Sequence, residues 1–148
     1  ASIDGGKIPL DERKNRIESA VAKIHSHIDV LREKYPSVTF QCIPYGRGAF
    51  ELEGYLAKGE LKGIEHLLMP AKRSQNTSIY RDRTGHACPI LAELSTLIWL
   101  RALYGVDLVN DFVEFETAYD APLLKKIAMD VIAQHNDRYN APVLTARN

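Results

Sequence analysis

Val38-Thr39-Phe40-Gln41-Cys42, then Ile43-Pro44-Tyr45-Gly46-Arg47-Gly48, then Ala49-Phe50-Glu51-Leu52-Glu53-Gly54-Tyr55: the reading of this stretch decides the fold. Val38, Phe40 and Cys42 alternate with Thr39 and Gln41, and Phe50, Leu52 and Gly54 alternate with Ala49, Glu51, Glu53 and Tyr55. Two short period-two runs around a Gly/Pro-rich connection spell a β-hairpin. Lys58-Gly59-Glu60 reads as a second turn and residues 61–69 as a third strand, with Ile64 and His66 on one face and Glu65 and Leu67 on the other. The expectation is an α+β domain, a small antiparallel sheet of three to five strands packed against three main helices.

Upstream, Ile17, Val21, Ile24, Ile28 and Leu31 recur at alternating steps of four and three, an apolar stripe along a helix of 10–34. Pro9, Asp11 and Glu12 suit its start, and Pro36 stops it. Downstream, a helix opens at Cys88 with Pro89 where its missing N–H costs nothing, and Gly105 closes it after Tyr104. Ile90, Leu91, Leu94, Leu97, Ile98, Trp99, Leu100 and Leu103 surround that helix, which makes it either the centre of the domain or a helix covered by a second subunit. Residues 112–118 read as a strand. Asp120 caps a third helix, which carries Leu124, Ile127, Ala128, Val131 and His135 on one face to about Arg138. Residues 1–9 and 139–148 read as loose ends of a single domain, 1–148.

The 19 Lys+Arg balance the 19 Asp+Glu, and a pI of 7.2 argues against a protein that coats nucleic acid wholesale. Cys42 and Cys88 are too few for a disulfide framework or a metal knuckle, although one bond between them stays open. Without a transmembrane run of about 18 apolar residues, or a basic-then-apolar leader, the plain expectation is a cytoplasmic protein with no membrane partner. His25 and His27 stand two apart on a helix and point in different directions, so one ion cannot be held by both. No metal and no cofactor are expected, since neither a Walker loop nor a dinucleotide fingerprint occurs.

Charge is uneven along the chain. Residues 70–90 hold Lys72, Arg73, Arg81 and Arg83 against Asp82 alone, in a polar segment broken only by a short strand over 78–81. Guanidinium groups match phosphate through paired donors, and the start of the following helix adds backbone N–H groups and its dipole. Tyr80 could stack a base and His86 exchange a proton near neutral pH. Glu93, inside the apolar helix, needs a partner and could orient His86. A hairpin carboxylate, Glu51 or Glu53, could join His86 and an arginine in acid–base chemistry, with Arg47 and Tyr45 close by in the chain. Cys88 at a helix start, beside Arg81, Arg83 and His86, has the setting that lowers a thiol's pKa; a buried structural cysteine explains it as well.

Three functions follow as expectations. The first is binding of, or action on, a phosphate-bearing ligand, a nucleotide or nucleic acid, in the manner of a nuclease-like effector. Residues 72–93 carry it, with Arg73, Tyr80, Arg81 and Arg83 as ligand contacts and His86, Glu93 and Cys88 as candidate catalytic groups. The second is a non-catalytic dimeric adaptor or regulator built on excess apolar helix surface; a homodimer is expected in either case. The third is a cysteine hydrolase at Cys88, which requires an exposed thiol beside an imidazole.

Overall fold

Leu10–Lys34 form helix α1, with Asp11 and Glu12 at its positive end and Arg32 and Lys34 at its negative end. The computed structural model describes residues 9–110 and 116–139. After α1 come α2 (Tyr45–Ala57), strand β1 (His66–Leu68), a 3-10 helix (Lys72–Thr77), strand β2 (Ser78–Tyr80), α3 (Pro89–Tyr104) and α4 (Ala121–Tyr139). Gly105 ends α3 in the left-handed region at φ 68°, its N–H returning to the Arg101 carbonyl. Asp120 Oδ1 accepts the Leu123 N–H at 3.0 Å at the start of α4.

The α+β expectation is overturned. The described residues form four α-helices and one two-stranded sheet, and that sheet is parallel, with His66 opposite Ser78 and Leu68 opposite Tyr80. The supposed hairpin is an irregular connection followed by α2. Ala49, Leu52 and Leu56 are spaced three and four apart, and Ala49 and Leu52 enter the core with Leu56 packed against it. Over so short a stretch the period-two and helical patterns share Leu52, and three glycines blur both. The third strand shrinks to His66–Leu68, and residues 116–119 are not a strand. The rest of the strand expected over 112–118 lies outside the described residues, as do 1–8 and 140–148.

α3 is the centre of the domain. Its Ile90, Leu91, Leu94, Leu97 and Ile98 are buried against α2, α4 and β2, while Trp99, Leu103 and Tyr104 stay exposed. α1 packs on α2 along a face that shares Ile17, Val21 and Ile28 with the expected stripe but is rotated off Ile24 and Leu31. Ile24 and Leu31 are exposed; Arg13 and His25 are the buried residues, with Ile17, Val21 and Ile28 half-buried between and beside them. The buried line therefore runs 13, 17, 21, 25, 28, and two of its members are polar. Both cysteines are free. Among the described residues no helix is long and apolar enough to cross a membrane.

Candidate functional site

The basic segment is shaped by β2. The Arg81 N–H donates to the His86 carbonyl at 2.8 Å, and Tyr80 pairs with Ala87 in an antiparallel bridge, so 81–86 is a closed turn. Gly85 supplies the positive φ of 95° that this turn needs. Asp82 is its internal anchor: Oδ1 accepts the Thr84 N–H at 2.9 Å and the Thr84 hydroxyl at 2.5 Å, and Oδ2 lies 2.6 Å from His86 Nδ1. Those hydrogen bonds, Thr84's first and His86's second, hold the Asp82 carboxyl well below the usual carboxylate range.

Arg81, Arg83 and His86 are exposed on this one turn. Arg73 is exposed on the 3-10 helix that feeds the opposite end of β2. The carboxylate that orients His86 is Asp82. Glu93 instead accepts a hydrogen bond from the Thr117 hydroxyl. Tyr80 is buried, and its hydroxyl donates to Glu53 Oε1 at 2.7 Å; burial first, and the Glu53 charge second, push its pKa up. Cys88 is fully buried at the start of α3, and burial pushes its thiol up despite the nearby Arg81 charge. Its N–H is spent on the Ile79 carbonyl at 3.0 Å. The next free amide of the helix, Ile90, faces the Tyr119 hydroxyl. The α3 N-terminus is therefore covered rather than offered to an anion. Arg47 pairs with Glu18 at 2.7 Å, away from His86.

Two arrangements had no signal local enough to read in sequence. In the first, Arg13 of α1 and Glu53 of α2 form a two-pronged ion pair, both side chains less than a tenth exposed, capped by the Tyr80 hydroxyl. This cluster borders a cavity of about 210 Å³ lined by Arg13, Tyr45, Phe50, Tyr80, Leu91 and Ser95, together with Gly85 and Ala87 of the basic turn. Both chain neighbours of His86 thus form part of its wall. In the second, His25, Cys42 and His135 come together between α1, the connection after it and α4; among the described residues they are the one group placed to hold a metal ion. Burial first, then the His25 ring and Arg47, push His135 down to about 4.

No protein-family model, curated protein or solved structure matches this chain.

Proposed function

We propose that the protein binds a phosphate-bearing small molecule, its ring seated in the cavity beside Phe50 and Tyr80 and its anion held outside by Arg81 and Arg83. The observation that carries this reading is the contiguity of the cavity with the basic turn through Gly85 and Ala87. Apolar and aromatic walls with a few polar groups are the usual make-up of a small-ligand site. The volume suits one ring system. Arginine pairs read phosphate by charge and by fork geometry, and these two need not move a buried group to do so.

The test is titration with a nucleoside monophosphate at low salt. Replacing Arg81 and Arg83 together by Gln should weaken binding more than tenfold, about 1.4 kcal/mol, with the melting temperature unchanged. Gly46→Leu should separate ring from phosphate. Gly46 lines the cavity, and a Cβ added there meets nothing within 4 Å, so the variant fills space without disturbing the fold. It should lose the nucleotide and keep whatever affinity exists for inorganic phosphate. Equal affinity in wild type and the double variant, or no binding by wild type, would sink the reading.

A second reading, a homodimer serving as an adaptor, is favoured by one observation. Ile24, Val30, Leu31, Tyr35 and Val38 are all exposed along the last turns of α1 and the connection after it. A stable dimer through these residues would have to bury about 1,000 Å² or more in total. Light scattering at tens of micromolar should give twice the 16.6 kDa chain mass, and Leu31→Glu should return the monomer. A monomeric wild type removes the dimer.

A further inference from the structure

We propose that His25, His135 and Cys42 form a zinc site, in which two imidazole Nε2 atoms and one thiolate hold Zn²⁺ and a fourth position stays open. The two Nε2 atoms face each other at 3.1 Å across 110 residues of sequence. On a tetrahedral ion with Zn–N bonds of about 2.0–2.1 Å, two imidazole nitrogens stand roughly 3.3 Å apart, so the rings are already at ligand spacing. One donor atom from each of His25, Cys42 and His135 lies within 4.8 Å of the other two. A shift of about 1 Å in the Cys42 side chain closes the set to the distances a Zn–S bond of roughly 2.3 Å imposes.

Both imidazoles are buried here, with their one polar contact between the two Nε2 atoms. His25 is 4% exposed and His135 fully buried, yet neither Nδ1 has a hydrogen-bond partner. Those Nδ1 atoms are not the ones that would bind the ion; the spacing of the two Nε2 atoms and the Cys42 thiol is what defines the site. The surroundings hold the rings in place. Tyr139 stacks flat on His25 at 3.9 Å and meets His135 at 5.1 Å. The Cys42 carbonyl stands near the His135 ring without forming a hydrogen bond to it, on the side from which an outer-shell acceptor would orient a metal-bound imidazole. Arg32 fixes the third donor, its Nη2 and Nε donating to the Phe40 carbonyl at 2.9 and 3.3 Å and so pinning the chain two residues before Cys42 onto α1.

Charge decides what the site accepts. The groups facing it are Arg32 and Arg47, with Asp29 as the nearby acid. Against two guanidiniums, a dication needs the thiolate, which makes Cys42 the residue that selects a thiophilic ion over Mg²⁺ or Ca²⁺. Binding breaks the Cys42 S–H bond and releases its proton to solvent. The proton shared between the rings moves to an Nδ1, so each imidazole stays neutral and each Nε2 lone pair goes to the metal. No electron transfer is involved. Three protein donors leave one coordination position for water or a small ligand. None of the three donors lines the nucleotide cavity, so this site stands or falls independently of that reading.

The 148-residue chain, stripped with chelator, should be titrated with Zn²⁺ by calorimetry and with Co²⁺ by absorption spectroscopy. One equivalent should bind with proton release, raise the melting temperature, and with cobalt produce intense tetrahedral bands plus thiolate-to-metal charge transfer. Cys42→Ser should abolish the charge transfer and weaken zinc at least tenfold. The half-buried Cys42 can be changed without opening the core, so this variant decides the matter even if His135→Gln does not fold. His27→Ala should bind as wild type does, since His27 points away and bonds the Lys23 carbonyl of its own helix at 2.7 Å. No binding, weak octahedral cobalt bands, or equal affinity in Cys42→Ser would overturn the proposal.

Discussion

Replacing Glu53 by Ala should cost the folded state about 3–5 kcal/mol, the range for removing one partner of a buried ion pair. The Glu53 side chain is 4% exposed and accepts from both arms of Arg13 and from the Tyr80 hydroxyl. Truncation strands a guanidinium that is itself 7% exposed and leaves a phenol without its acceptor. A domain of ordinary stability, about 5–15 kcal/mol, would lose a large share of it. Chemical denaturation should show a lower midpoint at unchanged slope. The double replacement Arg13→Met, Glu53→Leu should recover much of the loss, because it removes both charges rather than orphaning one. A loss below about 1 kcal/mol in Glu53→Ala would show that Arg13 reaches water through the adjoining cavity, since exposed pairs are worth no more than that.

Gly48→Leu should cost about 3 kcal/mol, whereas Gly46→Leu, two residues earlier in the same helix, should cost nothing. A Cβ at Gly48 would sit 2.7 Å from Ile98 Cδ1 and 3.0 Å from Leu94 Cδ2. Both side chains are fully buried and have nowhere to go, so α2 must move off α3. Removing a helical glycine returns only about 1 kcal/mol of backbone preference, too little to offset the overlap. At Gly46 the same substitution meets open space and keeps the propensity gain. For a chain of this size each kcal/mol moves the melting temperature by roughly 3 °C, so the two variants should melt about 10 °C apart. Equal melting would mean that the α2–α3 contact relaxes freely.

The candidate sites divide by range. The basic segment was legible as a polar loop after a short strand, whereas its closure into the 81–86 turn through Gly85, Asp82 and Thr84 was not, although those contacts span only two to four residues. A buried structural Cys88 was one of the two readings and is the one found, but the burial of Tyr80 was not legible, because exposure is a property of what packs over a residue. His25 and His27 were rightly separated by helix geometry, yet the partners of His25 are Cys42 and His135, far away in the chain.

Sequence by itself determined α1, α3 and α4. Each has a long apolar repeat and a chemical boundary, Pro36 and Gly105 as stops and Asp120 as a start, that acts over one turn of backbone. It did not determine α2, whose three glycines leave local preference close to neutral and whose helix is settled by Gly48 resting on α3 and Leu52 filling the core. It placed the buried face of α1 only in part, through Ile17, Val21 and Ile28. Apolar letters draw the line through Ile24 and Leu31, whereas the packed line passes through Arg13 and His25. A polar residue can be buried only where a partner waits, and the partners here are Glu53, 40 residues on, and His135, 110 residues on. Spacing along a chain carries no trace of such pairings, and the tertiary structure alone decides them.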